Sequence, residues 1–364
     1  MASYGLLIGI ATAAVTLTFA IPWLIAEYFP YRSLTAQRTG RPDVHTKSYK
    51  GRTALITGAN GAFGSRAAKI FAHREIATLI LVDVMDLKGV KEQIEAELTE
   101  QRKPIPKILL WQIDMMTFAG CQELGRKAKE LKSLDHALLT AGILAFSRRE
   151  SLEGWESSIQ VNFLSSALIG LLLLPVLKSS PGNPNPPVLT FVTTFGIYPS
   201  SFTMSRPWSG SYLKKLSNNS NLMQAHQYGR SKGLLLYFAR ELAARVATTA
   251  AAGKGMRRMT VNSADPGSAW TALTNPNQAK LIPRLIMNLG ARDPQICATA
   301  LVNGVSASED AHGKIMQDFG TASYPPFMNR KTGRAAQQVV WDETRAEFEA
   351  KVPEVKPVYE MLQK

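Results

Sequence analysis

A tyrosine and a lysine four positions apart are the side chains in this sequence best suited to proton transfer. Tyr228 and Lys232 stand directly before the apolar run Gly233–Leu242, which predicts a helix. Positions i and i+4 share one face of a helix, so the ammonium group would lie near the phenol. A nearby positive charge lowers the pKa of a phenol and lets it exchange a proton near neutral pH. The same spacing also occurs by chance on solvent-exposed helices, so the pair takes its meaning from its surroundings.

A glycine-rich segment, TGANGAFG at residues 57–64, directly follows the first predicted strand. A glycine turn that opens a helix lets backbone N–H groups approach a pyrophosphate at the positive end of that helix. A tight strand-to-helix turn without a ligand would use the same residue types. The predicted contact residues of this turn are Gly58, Asn60, Gly61, Phe63 and Gly64.

Two aspartates end the next two predicted strands. Asp83 lies 19 residues after Gly64, where a carboxylate can bond the ribose hydroxyls of NAD and repel the 2′-phosphate of NADP. A basic side chain near this position would bind the 2′-phosphate of NADP, but no cation follows Asp83 until Lys88. NAD(H) is therefore favoured, with NADP(H) as the alternative. Asp83 could also be a solvated loop acid. Asp114 could bond an adenine edge, and its alternative role is an N-cap for the following helix.

Strand-like and helix-like stretches alternate from residue 53 onward. The predicted strands are 53–57, 77–82, 108–113, 136–139, 188–192 and 258–262. The predicted helices between the first strands are 65–74, 88–102 and 120–131. This alternation predicts βαβ units and a parallel sheet, with ligands bound beyond the carboxyl ends of the strands. The apolar run 167–177 is too short to cross a membrane and predicts a buried helix.

With these motifs in this order, residues 50–320 resemble the short-chain dehydrogenase/reductase family. The resemblance implies an α/β fold with a Rossmann-type doubly wound parallel sheet. It also implies that Tyr228 is the general acid/base, that Lys232 assists it, and that Asn162 holds a proton-relay water. The family's strand-end serine corresponds best to Thr194, with Thr193 as the neighbouring alternative. The remaining cofactor contacts implied by the resemblance are Ala141, Gly142, Pro266, Gly267 and Thr271.

Three positions depart from the family pattern. Ala62 stands where a glycine is usual, and its methyl group could crowd a pyrophosphate. Thr140 replaces an asparagine that normally ties two strands together, and its hydroxyl would keep part of that link. Thr194 keeps the donor and acceptor capacity of a serine hydroxyl, although its methyl group restricts the rotamer. If these changes are damaging, the alternative function is a catalytically weak or inactive nucleotide-binding scaffold.

Two longer segments bear on the substrate. Thr194 and Tyr228 are 34 residues apart, and the insert 197–227 resembles the long loop of fungal and retinol-dehydrogenase-like members. It predicts either a wall of the substrate pocket or a surface insertion. The stretch 268–290 carries apolar residues at helical spacing, which predicts a lid over an apolar substrate, a core helix or a membrane-facing surface.

The first 26 residues contain no charged side chain, and six basic residues with one acid follow within residues 32–52. The uncharged run of 22 residues from Gly5 would span about 33 Å, close to the hydrocarbon core of a bilayer. The basic flank predicts a single-pass anchor in the endoplasmic reticulum with the remaining chain cytosolic. A cleaved signal peptide is the alternative, but it needs a basic n-region and a shorter apolar core.

Composition excludes several classes of protein. Hydrophobic residues make up 45% of the 364 residues, which excludes a disordered or fibrous chain. Two cysteines exclude a disulfide-stapled fold, and the five histidines show no metal-ligand spacing. The net charge of +14 clusters partly beside the anchor, and no nucleic-acid motif accompanies it, so membrane lipid rather than nucleic acid is the expected partner. A homo-oligomer is compatible with the sequence.

These observations divide the chain into an anchor at 1–30, a basic juxtamembrane linker at 31–50, a catalytic domain at 51–322 and a tail with a short helix at 323–364. The predicted function is hydride transfer between nicotinamide and the carbonyl or alcohol of a small apolar substrate. A lipid, sterol, retinoid or polyketide-like metabolite would fit, the last as part of secondary metabolism.

Overall fold

The computed structural model describes residues 48–145, 147–180, 186–197, 210–218, 224–251, 259–274, 291–317 and 320–363. The predicted anchor, nearly all of the basic linker and most of the predicted lid at 268–290 lie outside the described residues. Residues 198–209 and 219–223 of the insert also lie outside this set, so the insert is discussed only through residues 197, 210–218 and 224–227.

An eight-stranded sheet forms the centre of the domain. Its strands are β1 (Thr53–Thr57), β2 (Thr78–Asp83), β3 (Lys107–Gln112), β4 (His136–Leu139), β5 (Val188–Val192), β6 (Thr260–Asp265), β7 (Ile315–Gln317) and β8 (Gly320–Ala322). The spatial order is β3-β2-β1-β4-β5-β6-β7-β8, and every pair is parallel except the antiparallel pair β7-β8. The order of the strands reverses between β1 and β4, where Leu55 pairs with Ile80 on one side and Ala137 on the other. This reversal is the switch point at which doubly wound sheets bind their ligands.

Helices cover both faces of the sheet, because its central strands are apolar on both sides. In chain order they are α1 (Ala62–His73), α2 (Lys88–Glu100), α3 (Phe118–Lys129), α4 (Ser166–Ser179), α5 (Tyr212–Asn218), α6 (Gln224–Ala251), α7 (Pro294–Val305), α8 (Pro326–Asn329), α9 (Lys331–Lys351) and α10 (Lys356–Gln363). One core cluster contains residues of α1, α2 and α7. The other contains residues of α3, α4, α6, α9 and α10. The predicted Rossmann-type α/β fold is therefore confirmed.

The predicted buried helix at 167–177 is longer in the structure. A π-helical segment, Ile159–Ser165, runs directly into α4, and together they form a helix of 21 residues, Ile159–Ser179. Within the described part of the chain this helix is long and apolar enough to cross a membrane, but 94% of its most apolar stretch is buried inside the domain. Packing in the core accounts for its composition.

The tail at 323–364 contains more helix than the one short helix expected. It holds α8, α9 and α10, and α9 alone has 21 residues. Trp341 of α9 is 1% exposed and stacks on Phe238 of α6, with ring centroids 5.2 Å apart. The short hairpin β7-β8 was not predicted, because three-residue strands carry almost no periodicity.

Candidate functional site

The glycine turn between β1 and α1 is shaped by close backbone contacts. Gly58 has φ of +66°, and a Cβ there would lie 2.8 Å from the Cα of Ala141. A Cβ on Gly64 would lie 2.1 Å from the carbonyl oxygen of Gly58. Gly61 precedes α1 without a side-chain hydrogen bond to cap the helix, so the first N–H groups of α1 are left for a ligand. The turn therefore has the small side chains and the uncapped helix start that a pyrophosphate requires.

Replacing Gly58 by alanine should abolish cofactor binding, whereas Gly61→Ala should weaken it less. At Gly58 the substitution meets both a left-handed φ and a backbone contact under 3 Å. At Gly61 φ is −71° and the new Cβ would lie 3.1 Å from one carbonyl oxygen. Titration of each purified variant with NADH and NADPH, followed by fluorescence, measures the difference. Equal affinities for the two variants would contradict this account of the turn.

Asp83 ends β2 as predicted and lies beside the turn. Its Oδ2 accepts the N–H of Asn60 at 2.9 Å, and its Oδ1 accepts the N–H of Met85 at 3.1 Å. The half-buried carboxylate is therefore held in a fixed orientation next to the glycine segment. Phe63, on the first turn of α1, is half-buried against the same core as that helix.

Asp114 lies at the end of the neighbouring strand β3, exposed to solvent. Its Oδ1 accepts the N–H of Met116 at 2.8 Å in a local turn. The alternative prediction that Asp114 caps the next helix is wrong: the N-cap of α3 is Thr117, whose Oγ1 accepts the N–H of Gly120 at 3.0 Å. A threonine hydroxyl three residues before that N–H has the geometry that a cap needs.

Asn162 is fully buried in the π-helical segment and joins two parts of the site. Its Oδ1 accepts the N–H of Ile143 at 2.7 Å. Its Nδ2 donates to the carbonyl of Ile143 and to the hydroxyl of Ser231, both at 2.9 Å. A Cβ on Gly142 would lie only 3.1 Å from this Oδ1. The amide of Asn162 thus fixes the loop after β4 against helix α6.

Lys232 is buried between the ends of β4 and β5. Its Nζ donates to the carbonyl of Val192 at 2.8 Å, and a Cβ on Gly142 would come within 3.4 Å of this nitrogen. The side chain is 2% exposed, and burial lowers the pKa of Lys232 to about 8. The lysine still carries its charge for most of the time at pH 7.

Tyr228 lies on the same helix, half-buried. Burial, and secondly the charge of Asp265, raise the pKa of Tyr228 to about 12. This shift is opposite to the direction predicted from the sequence. The physical reason is that desolvation dominates, while the ammonium of Lys232 is directed at the Val192 carbonyl. Like a phenol of ordinary pKa, Tyr228 is protonated at neutral pH and has a proton to donate.

The two threonines after β5 differ in their surroundings. Thr194 is half-buried, and its Oγ1 accepts the N–H of Gly196 at 3.1 Å, which leaves its O–H proton to donate elsewhere. Thr193 is 3% exposed, and within the described part of the chain its buried hydroxyl has no hydrogen-bond partner. The geometry therefore favours Thr194 over Thr193 as the accessible hydroxyl.

Thr140 does not provide the link between strands that was predicted. Its Oγ1 is buried and makes no hydrogen bond to the described residues. The hydroxyl of Thr57 at the end of β1 accepts the N–H of Ala141 at 3.2 Å and ties the two strand ends together. The sequence analysis had not singled out Thr57 for this role, although it stands in the glycine motif itself.

The segment after β6 is organised by Asp265 and Arg292. Asp265 Oδ1 accepts the N–H of Gly267 at 2.9 Å, and Gly267 has φ of +78°. The buried guanidinium of Arg292 donates from Nε to the carbonyl of Pro266 at 3.2 Å and would clash with any Cβ on Gly267. Thr271 donates its N–H to Thr274 Oγ1 at 3.0 Å. No sequence pattern marked Arg292, because it is 26 residues from Pro266 and reaches it only through the fold.

The family model of the short chain dehydrogenases matches residues 52–183. The short chain dehydrogenase sol3 of Alternaria solani is 30% identical over 224 residues, which cover 61% of this chain and 74% of that protein. The short chain dehydrogenase/reductase mfmJ of Annulohypoxylon moriforme is 28% identical over 340 residues, covering 90% of this chain and 94% of the relative.

Solved structures share the fold at lower identity. An uncharacterized protein from Mycobacterium paratuberculosis has a TM-score of 0.58 and 22% identity, covering 85% of this chain and 98% of its own. A protein described as an NAD(P)-dependent gluconate 5-dehydrogenase from Beutenbergia cavernae, with bound NADP, has a TM-score of 0.53 and 20% identity, covering 75% and 97%. Fold, motifs and relatives agree: the chain belongs to the short-chain dehydrogenase/reductase family and is an oxidoreductase acting on CH–OH or C=O groups.

Proposed function

We propose that this protein is a membrane-anchored, NAD(H)-favouring reductase or dehydrogenase of small apolar carbonyl and alcohol substrates. The observation that carries the proposal is the arrangement at the carboxyl ends of β4 and β5. There Lys232, Asn162 and Gly142 come together, and the glycine turn of β1 contacts the neighbouring Ala141.

The residues of the site fit a nicotinamide dinucleotide. The cradle at Gly58 and Gly64 has no room for a Cβ, and α1 begins without a side-chain cap. When bound, the coenzyme would supply or accept the hydride. Gly58, Asn60, Gly61, Phe63 and Gly64 would surround its phosphates, and the ends of β4 and β6 would approach the nicotinamide half through Ala141, Gly142, Pro266, Gly267 and Thr271.

The chain's own polar groups would then manage the proton and the substrate oxygen. Tyr228, which is protonated at pH 7, would donate its proton to the carbonyl oxygen during reduction. Thr194 would donate a hydrogen bond to the same oxygen, since its Oγ1 already accepts from Gly196. Lys232 would bind the ribose, and Asn162 would hold the loop after β4 in register with α6.

Asp83 supports a preference for NAD(H) over NADP(H). Its carboxylate is fixed beside the turn by the N–H groups of Asn60 and Met85, where a 2′-phosphate would meet a negative charge. Asp83→Ser should therefore raise kcat/KM for NADPH relative to NADH by about tenfold or more. This factor corresponds to removing about 1.4 kcal/mol of repulsion between the carboxylate and the 2′-phosphate. Steady-state kinetics with both cofactors measures this ratio. A wild-type preference for NADPH that Asp83→Ser leaves unchanged would show that Asp83 does not select the cofactor.

The N-terminal sequence supports a single-pass anchor in the endoplasmic reticulum with the catalytic domain cytosolic. The chain itself offers a topology probe, because Asn218 is exposed at the end of α5 and begins the sequon Asn218-Asn219-Ser220. In cells we expect no glycan at Asn218 and recovery of the protein with membranes. An endoglycosidase-sensitive mobility shift that Asn218→Gln removes would place the domain in the lumen instead.

The test of the proposed function is turnover by the purified protein. Sterol, retinoid and polyketide-like ketones should be offered with NADH and with NADPH, and the corresponding alcohols with the oxidised forms. Reduction or oxidation above the rate of the Tyr228→Phe variant would support the proposal. Cofactor binding with no turnover of any substrate class above that variant would favour the alternative, a nucleotide-binding scaffold with a weak or inactive site.

A further inference from the structure

The helix α5 of the insert is capped by a side chain from the far end of the sequence. Glu343 of α9 accepts the N–H of Tyr212 through Oε1 at 2.7 Å and the N–H of Leu213 through Oε2 at 2.9 Å. The same Oε2 accepts the hydroxyl of Ser211 at 2.9 Å. A carboxylate at a helix N-terminus satisfies donors that the helix itself leaves unpaired and interacts favourably with the helix dipole.

The other end of α5 is tied to the catalytic helix. Gln227, the residue before Tyr228, donates from Nε2 to the carbonyl of Leu216 at 2.9 Å. The Oε1 of Gln227 accepts from Arg230 Nη1 at 2.8 Å, and Arg230 lies buried on α6 between Tyr228 and Lys232. The carboxamide of Gln227 therefore connects α5 to the turn of α6 that carries the proton donor.

The loop after β4 holds the same end of α5. Arg148 donates from Nη1 to the carbonyl of Ser217 at 2.7 Å, and the N–H of Glu156 donates to the hydroxyl of Ser217 at 2.9 Å. This loop also contains Ile143, which Asn162 holds. The helix α5 is thus fixed to both chain segments that border the reactive end of the site.

Burial shows that α5 is packed rather than laid on the surface. Tyr212 and Ser217 are fully buried, and Leu213 and Leu216 are at most 2% exposed. Lys214 places its ammonium 3.6 Å from the ring centroid of Trp155, whose Nε1 donates to Glu347 of α9 at 2.7 Å. Helix α9 therefore supports α5 directly through Glu343 and indirectly through Trp155.

We propose that Glu343 is a positioning residue for the reaction. By capping α5 it holds this part of the insert against Gln227, and α5 in turn sets the wall of the substrate site beside Tyr228. The inference rests on the proposed function for its catalytic meaning. Glu343 is not among the residues assigned above to cofactor or substrate, and it lies outside residues 52–183, which match the family model.

The test compares Glu343→Gln with Glu349→Gln. Both variants remove one carboxylate from α9, but Glu349 pairs with Arg345 on its own helix, at 2.7 Å, and does not cap α5. The first measurement needs no substrate: trypsin cleavage after Lys214 or Lys215, inside α5, followed by mass spectrometry. We expect Glu343→Gln to be cleaved there at least about tenfold faster than the wild type, and Glu349→Gln at the wild-type rate.

The second measurement is kinetic. In Glu343→Gln we expect the KM for the sterol, retinoid or polyketide-like ketone that the wild type reduces to rise about tenfold, while the dissociation constant for NADH changes by less than about twofold. Glu343→Asp keeps the charge on a shorter side chain, so its KM should fall between those of the wild type and Glu343→Gln. It serves as the test protein if Glu343→Gln does not fold. A general loss of stability would instead lower the active fraction and leave KM unchanged.

Wild-type cleavage of α5 in the Glu343 variants would overturn the inference, and so would faster cleavage with an unchanged KM. A wild-type protein that binds NADH but turns over no substrate would refute the proposed function, and the catalytic role of Glu343 with it. A wild type that is active alongside equally active Glu343 variants would refute the positioning role alone.

Discussion

Replacing Tyr228 by phenylalanine is expected to lower kcat for carbonyl reduction by about 10²- to 10⁴-fold, the range typical of a lost general acid. The phenol is protonated at pH 7, as a phenol of ordinary pKa also is, and burial and Asp265 raise its pKa further to about 12, so in the wild type it has a proton to donate. Phenylalanine keeps the ring and removes only the hydroxyl. The dissociation constant for NADH should therefore stay within about twofold of the wild type, as measured by fluorescence titration.

The matched control is Tyr237→Phe on the same helix. Tyr237 is buried against Phe327, with ring centroids 6.4 Å apart, and stands nine positions further along α6. This control removes one phenol from α6 away from the strand ends and should retain most of the activity. A Tyr228→Phe variant that turns over substrate as fast as Tyr237→Phe would remove Tyr228 from the reaction.

Replacing Thr194 by valine is expected to lower kcat by about 10²-fold or more, whereas Thr194→Ser should keep the activity. Valine has nearly the same shape as threonine but has no hydroxyl, so it can neither donate to a substrate oxygen nor accept the N–H of Gly196. Serine retains both functions. Steady-state kinetics on one substrate with all three proteins gives the comparison.

Thr193→Val separates the two alignments of this strand end. The Thr193 hydroxyl is buried and makes no hydrogen bond within the described residues, so its removal should change kcat by less than about threefold. If Thr193→Val were the inactive variant and Thr194→Val the active one, the catalytic hydroxyl would have been assigned one residue too late. The thermal unfolding midpoint of each variant, read by circular dichroism, shows whether lost activity reflects lost folding.

The motifs of the amino-acid sequence predicted the fold class, which the structure confirms, and the position of the candidate site. Apolar strand segments separated by helical segments require a parallel sheet covered on both faces, and the structure has one. Glycines at 58, 61 and 64 mark a turn that tolerates no side chain at two of these positions. The positive φ of Gly58 and the approach of Gly64 to the Gly58 carbonyl are local to the turn, whereas the contact of Gly58 with Ala141 is tertiary. Tyr228 and Lys232 could be recognised because a helix places positions i and i+4 on one face.

Only the tertiary structure decided the contacts between segments that are distant in sequence. The pKa of Tyr228 depends on desolvation and on Asp265, 37 residues away, so the spacing of Tyr228 and Lys232 alone predicted the wrong direction. The link between β1 and β4 comes from Thr57 rather than Thr140, because the hydroxyl of Thr57 faces the N–H of Ala141 across the strand pair. Glu343 meets Tyr212 across 131 residues of chain, a contact that no periodicity encodes, because hydrogen bonds of this kind depend on how whole helices pack.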